Sequence, residues 1–223
     1  KLCDLVEAEL SGHTLNFFVL SRVDTVDYAI LKRMQQVGFK MIIYGVESFS
    51  NKILLDMQKK VKGDDQAVIA LKAVEDTVRA GLIARLNLIL FYPTTRLEDI
   101  KITIDNSIKL MELGAIIDPF TYVESYSGAP ITTQGFETVN RKYSMEDMGE
   151  EIEVPDVILP QDPIVREVAK EALELKPKID EKIKLKYTWK DKLPAPVNTL
   201  SLFKAIYISA GFDTEKIDSL IDK

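Results

Sequence analysis

The sequence predicts an α/β fold built on a parallel sheet. From residue 1 to about residue 130, short apolar runs of strand length alternate with longer segments whose apolar residues recur at helical spacing. The runs are almost wholly apolar, which is typical of parallel strands that crossover helices cover. Both an open sheet and part of a barrel satisfy this pattern. At 223 residues, one core and a smaller appendage are expected.

The first elements follow from spacing and from turn residues. Apolar residues in 1–11 predict a helix that ends at Gly12, and the run 15–20 predicts the first strand. Asp24 or Thr25 is expected to cap the next helix, which Gly38 closes.

The second predicted strand, residues 40–46, carries the most informative sequence. It lies between two segments of helical period and leads directly into Glu47 and Ser48. In parallel sheets the carboxyl ends of the strands face the ligand, so Glu47 stands where chemistry is normally found. The alternative is that Glu47 only caps the following helix.

Three more helices and two more strands complete the alternation. The helices are predicted at 51–57, 64–80 and 96–113, and the strands at 83–91 and about 119–125.

Beyond residue 136 the alternation stops. An acidic stretch at 146–153 is expected to be a solvated loop, with prolines at 155, 160 and 163 after it. A small helical appendage is predicted from segments at 164–175, 179–185, 200–210 and 215–221. The predicted domains are therefore 1–136 and 137–223.

Composition excludes several classes of protein. With 46% hydrophobic and 29% charged residues the chain is neither disordered nor a membrane protein, and its net charge of −6 argues against a nucleic-acid surface. No apolar run of about 18 residues and no signal peptide is present, so a cytoplasmic protein is expected.

The single cysteine, Cys3, allows no internal disulfide and no thiolate metal site within this chain, and is expected to be a buried small hydrophobe. The chain does not start with methionine, and its first residues already show the apolar spacing of a helix. It is therefore expected to be a fragment.

Polar residues follow or lie within four successive predicted strands. If the sheet curls, they face one mouth, where their carboxylate, guanidinium and amide groups suit a ligand with hydroxyls and charges. These residues are Ser21 and Arg22, Glu47 and Ser48, Asn87, and Ser125 with the Tyr126 turn. Neither a P-loop nor a dinucleotide-binding fingerprint is present.

Several short motifs follow one another in a characteristic order over residues 1 to 135. They are Ser21-Arg22-Val23-Asp24, Gly45-Val46-Glu47-Ser48, Leu86-Asn87-Leu88-Ile89 leading to Tyr92-Pro93, and Tyr126-Ser127-Gly128-Ala129-Pro130. This order resembles the radical S-adenosylmethionine (SAM) superfamily, and most closely its members with an upstream cobalamin-binding domain.

This resemblance implies a partial (β/α) barrel of six βα units, of which the chain holds the last four strands. It also implies roles for five residues. Glu47 would bind the SAM ribose hydroxyls, Lys59 the SAM carboxylate or ribose, and Asn87 the ribose. Ile89 would pack on adenine, and Arg22 would hold the carboxylate of SAM or of the substrate.

The chain departs from the family pattern in two places. The three-cysteine loop that holds a [4Fe–4S] cluster is absent, so the cluster, and cobalamin through an upstream domain, are implied only for the full-length protein. The glycine usual before Tyr92 is Phe91, which is expected to crowd the adenine side, and Thr94-Thr95 replaces a small-acidic pair.

Three functional hypotheses remain. The first is the C-terminal part of a radical SAM enzyme that is inactive alone and, in the full protein, initiates radical chemistry by hydrogen abstraction. The second is a non-catalytic binding or scaffold domain, and the third an unrelated barrel enzyme acting on a phosphorylated metabolite. For this chain we also expect an exposed sheet edge at the first strand, and a tendency to dimerise or aggregate there.

Overall fold

A computed structural model of the protein describes residues 1–10, 13, 16–59, 65–120, 122–125, 129–145, 150–181 and 196–222. Its strands are β1 (Phe17–Ser21), β2 (Phe39–Glu47), β3 (Ile83–Ile89), β4 (Ile116–Phe120), β5 (Val123–Ser125), β6 (Thr138–Met145) and β7 (Glu150–Ile158). Its helices are α1 (Leu2–Leu10), α2 (Tyr28–Gln36), α3 (Asn51–Asp56), α4 (Gln66–Arg79), α5 (Leu97–Glu112), α6 (Pro163–Glu181), α7 (Pro196–Ser209) and α8 (Glu215–Ile221).

The main sheet contains four parallel strands in the order β1-β2-β3-β4. Each strand is joined to the next through at least one helix, which gives the predicted βα alternation. The predicted α/β fold, a partial barrel of four parallel strands with C-terminal helices, is confirmed.

The two faces of this sheet differ in burial. Residues of one face, such as Tyr44 and Leu86, are fully buried beneath the helices. The alternate residues of β2 and β3 are half-buried. We call this second side, which bears Gly45, Arg85 and Asn87, the open face, and the candidate site lies there.

The fourth predicted strand divides into two. Residues 116–120 form β4, the far edge of the parallel sheet. An edge strand tolerates Pro119 because the N–H that proline lacks is not needed for pairing on its outer side. Residues 123–125 form β5, which pairs antiparallel with β7 in a second sheet of order β5-β7-β6.

The prediction of a loop at 146–153 is therefore wrong for residues 150–153, which lie in β7, while 146–149 lie outside the described residues. Paired strand backbones satisfy their hydrogen bonds across the ladder, so a strongly acidic sequence can still form a strand. The predicted interruption between the helical segments 164–175 and 179–185 is also absent, since α6 continues through Pro177 to Glu181, and residues 182–185 lie outside the described residues.

Three local expectations are corrected. The cap of α2 is Asp27, whose carboxylate accepts from the Ile30 N–H at 2.8 Å, rather than Asp24 or Thr25. Cys3 is half-buried instead of fully buried. Phe91 is fully buried in the core, where its ring centroid lies 6.0 Å from that of Tyr122.

Candidate functional site

Strand β2 ends in a bulge directly before Glu47, which lies on the open face with Gly45. Gly45 is paired with Asn87 and Glu47 with Leu88, so Val46 is an extra residue in the ladder. Glu47 has a positive φ of 66°, a conformation that costs a non-glycine residue about 1 to 3 kcal/mol. Strain of this kind is often found where a side chain must point in one particular direction.

Lys59 is the hydrogen-bonding partner of Glu47. Its Nζ donates to Glu47 Oε1 at 2.9 Å and also to the Gly45 carbonyl. The two side chains are 20% and 25% exposed, so this pair is shielded more than an ordinary surface ion pair. Among the described residues, the other carboxylate oxygen, Oε2, accepts no hydrogen bond, which leaves it available to a ligand.

Gly45 makes room for the carboxylate. A Cβ atom at this position would lie 2.8 Å from Glu47 Oε1 and 3.6 Å from Lys59 Nζ. Because that first distance is shorter than a van der Waals contact, the carboxylate lies directly over the glycine backbone.

The end of α3 directs Lys59 back toward β2. The Lys59 N–H donates to the Leu54 carbonyl at 2.8 Å and the Gln58 N–H to the Leu55 carbonyl at 2.9 Å, the two bonds of a Schellman motif. Gln58 takes the left-handed conformation there, with a φ of 55°. The helix end therefore fixes the direction in which the lysine side chain leaves.

Glu47 does not cap α3, so that alternative is wrong. Ser50 is the cap, and its Oγ accepts from the Ile53 N–H at 3.4 Å and donates to Asp99 Oδ1 at 2.5 Å. Ser48 is only 2% exposed and its Oγ lies 3.0 Å from Thr103 Oγ1. Both serines thus hold the loop after β2 against α5.

Asn87 and Ile89 lie on the open face of the neighbouring strand. Both are half-buried, in alternation with the buried Leu86 and Leu88. The Asn87 Oδ1 atom is buried and has no hydrogen-bonding partner. A buried acceptor without a partner is costly, and a ligand donor would satisfy it.

Arg22 follows β1 but is engaged locally. Its Nε and Nη2 donate to the two Asp24 carboxylate oxygens, each at 2.8 Å, and the side chain is 50% exposed. This bidentate contact raises the pKa of Arg22. The structure therefore brings Glu47, Lys59 and Gly45 together beside Asn87, whereas no hydrogen bond joins Arg22 to Glu47 or Lys59.

Sequence reasoning missed an ion pair on the same face. Arg85 of β3 donates through Nη2 to Asp118 Oδ2 of β4. The available signal was a charged residue within each of two otherwise apolar strands.

Other candidate features lie elsewhere. In the described part of the chain, no group of three or more His, Cys, Asp or Glu residues is placed to hold a metal ion. A cavity of about 630 Å³ lies between α5 and the last two helices and includes none of the candidate residues. The Tyr126 turn lies outside the described residues. No helix that the structure describes is long and apolar enough to span a membrane.

Comparison with solved structures identifies similar folds among radical SAM enzymes. The cobalamin-dependent radical SAM enzyme OxsB with aqua-cobalamin bound matches with a TM-score of 0.64 and 16% identity, over 99% of this chain and 38% of OxsB. OxsB with aqua-cobalamin and SAM bound matches with a TM-score of 0.60 and 14% identity, over 94% and 36% of the two chains. The radical SAM methyltransferase TsrM from Kitasatospora setae has a TM-score of 0.46 and 12% identity, over 55% of this chain and 23% of TsrM.

The OxsB matches show that the chain has the fold of this part of a radical SAM enzyme, while it spans well under half of OxsB. No family model and no curated protein matches the sequence.

Proposed function

We propose that this chain is the C-terminal part of the catalytic barrel of a radical SAM enzyme of the cobalamin-associated group, and that its open face binds SAM. The observation that carries the proposal is the half-buried Glu47–Lys59 pair over Gly45 at the carboxyl end of β2. It occurs in a fold shared with OxsB, which has been solved with SAM bound.

The residues present fit SAM. The Glu47 carboxylate offers its Oε2 oxygen to ribose hydroxyls, and Lys59 holds that carboxylate in place while it retains one further N–H for the SAM carboxylate. The unpartnered Asn87 Oδ1 accepts from the ribose, and Ile89 supplies an apolar contact for adenine on the same face. When bound in the full-length protein, SAM would supply radical chemistry, because one-electron reduction by a donor outside this chain would split it into methionine and a radical able to take a hydrogen atom from a substrate.

The residues of this chain do not fit an iron–sulfur cluster. Cys3 is its single cysteine, and it lies in α1 among the acidic residues Asp4 and Glu7. Cluster ligands and cobalamin contacts would have to come from other parts of the full-length protein, and we expect the 223-residue chain alone to bind SAM without cleaving it.

Isothermal titration calorimetry with SAM tests this proposal. We expect the wild-type chain to bind and Glu47→Gln to bind at least about tenfold more weakly, because hydrogen bonds to a charged group contribute about 1.5 to 3 kcal/mol. Glu7→Gln is the matched control, since Glu7 is exposed in α1 and pairs with Arg33. Its affinity should equal that of wild type.

Two outcomes would overturn the proposal. Binding of inorganic phosphate without SAM would indicate a barrel enzyme for phosphorylated metabolites. Binding of neither ligand by the folded chain would indicate a scaffold domain.

A further inference from the structure

The Arg85–Asp118 pair occupies the open face beside the proposed SAM site. Arg85 lies two residues before Asn87 along β3, about 7 Å farther from the carboxyl edge of the sheet. Asp118 lies on β4, opposite Asn87 and on the side away from Gly45. The pair is therefore deeper in the barrel than Glu47 and displaced toward β4.

This pair is shielded and incompletely satisfied. The two side chains are 25% and 12% exposed. Arg85 Nη2 donates to Asp118 Oδ2, but Arg85 Nε is buried and has no partner. In the described residues Asp118 Oδ1 accepts no hydrogen bond. A shielded ion pair is stabilising only when further hydrogen bonds satisfy its remaining groups, so a ligand that bonds to both atoms would stabilise this pair.

The charges indicate which ligand fits. Arg85 and Asp118 cancel each other, and an anion bound to Arg85 Nε would approach the Asp118 carboxylate. A hydroxyl group avoids this conflict because it accepts from Arg85 Nε–H and donates to Asp118 Oδ1.

We propose that Arg85 and Asp118 bind a hydroxyl group in an uncharged part of the substrate, next to bound SAM and deeper in the barrel. The inference deepens the proposed function and rests on it, since it assigns to the substrate the part of the open face that SAM does not use. The substrate class that follows is an alcohol or polyol at the position that these two residues contact.

Nitrogen-15 NMR of the arginine Nε–H groups tests this assignment on the 223-residue chain. The Arg85 signal is the one that Arg85→Lys removes. We expect glycerol, a small neutral polyol, to shift this signal in a saturable manner, and acetate, an anion of similar size, to leave it unchanged. The Arg22 signal is an internal control because its Nε already donates to Asp24, and it should not move.

The variant Asp118→Asn sharpens the test. It removes the compensating charge, so we expect glycerol affinity to fall about fivefold or more, the loss of roughly one hydrogen bond to a charged group, and acetate to begin shifting Arg85. Glu7→Gln should change glycerol affinity less than about twofold, because Glu7 is exposed in α1 and pairs with Arg33, away from this contact.

The outcomes separate this inference from SAM binding. If calorimetry detects SAM binding but glycerol does not shift the Arg85 signal, the hydroxyl assignment alone is overturned. The Arg85–Asp118 pair then has a structural role or is bridged by water. A glycerol shift without SAM binding overturns the proposed function and supports the hydroxyl contact. A shift caused by acetate in the wild-type chain, or by SAM itself, overturns the assignment to a neutral substrate group.

Discussion

Gly45 is the residue at which backbone geometry and ligand binding are most closely linked. In Gly45→Ala the new Cβ would lie 2.8 Å from Glu47 Oε1, the end of a flexible side chain that can move away. We therefore expect SAM affinity to fall about tenfold or more, as when a hydrogen bond to a charged group is lost, while the free energy of unfolding changes by less than about 1 kcal/mol. Calorimetry and urea denaturation measure the two effects.

The double variant Gly45→Ala/Glu47→Gln shows whether this effect passes through Glu47. If it does, the double variant binds SAM no more weakly than Glu47→Gln alone, since interacting residues are not additive. Additive losses would mean that the methyl group obstructs the ligand itself.

Tyr44 connects burial to alkaline stability. Its hydroxyl lies 2.7 Å from Thr77 Oγ1, which itself donates to the Ala73 carbonyl at 2.6 Å, so the tyrosine is the donor. Burial raises the pKa of Tyr44 from 10.0 to about 12. Between these values the folded chain keeps a proton that the unfolded chain has lost. The contribution of Tyr44 is therefore complete below pH 10 and falls by about 2 to 3 kcal/mol as the pH approaches 12.

Tyr44→Phe isolates that contribution. Near pH 8 we expect the variant to be about 1 kcal/mol less stable because one buried hydrogen bond is lost. Above pH 10 the difference should shrink and then reverse, since phenylalanine cannot ionise. Urea denaturation from pH 8 to pH 11 gives both values; a constant difference over this range would exclude ionisation of Tyr44 as its source.

At the scale of elements, the end of α3 holds a non-glycine residue in a conformation suited to glycine. Gln58 is exposed and has a φ of 55° at the residue that closes the Schellman motif. Gln58→Gly removes the steric cost of that conformation, about 1 to 2 kcal/mol. Part of this gain is offset because glycine loses more conformational entropy on folding than glutamine does. We expect a net stabilisation of up to about 1 kcal/mol, measured by denaturation, with SAM affinity unchanged because the Lys59 backbone bond is retained. A destabilised variant would show that the Gln58 side chain contributes to the site.

The elements also show what could be read from the sequence. Strand β2, its carboxyl-end Glu47 and the helices on either side were predictable because apolar period and glycine positions directly reflect local geometry. The β6–β7 pair was not, because its strands are polar and are stabilised by a ladder between distant residues. The contacts of Lys59 depend on a turn of α3 whose left-handed residue is glutamine, so no glycine marks it in the sequence. The Arg85–Asp118 pair requires the register of two strands, which the sequence does not specify.

At the scale of the whole molecule, β1 is an edge of the parallel sheet and pairs in the described chain with β2 alone. Leu20, which belongs to this edge strand, has a side chain that is 76% exposed. A strand edge with apolar neighbours is a template for pairing. If the chain is part of a larger barrel, as we propose, further strands would cover this edge in the full-length protein. In the isolated chain, a second copy is the available partner.

We therefore expect the 223-residue chain to associate reversibly as its concentration rises. The variant Leu20→Lys should shift this equilibrium toward the monomer, because a lysine on an edge strand opposes pairing with a second copy. Leu55→Lys is the matched control, since Leu55 is 72% exposed on α3, away from this edge. Sedimentation velocity over a range of concentrations measures the association. Equal effects of the two variants would place the contact elsewhere on the surface. A monomeric wild-type chain at every concentration would mean that the edge does not mediate pairing between copies.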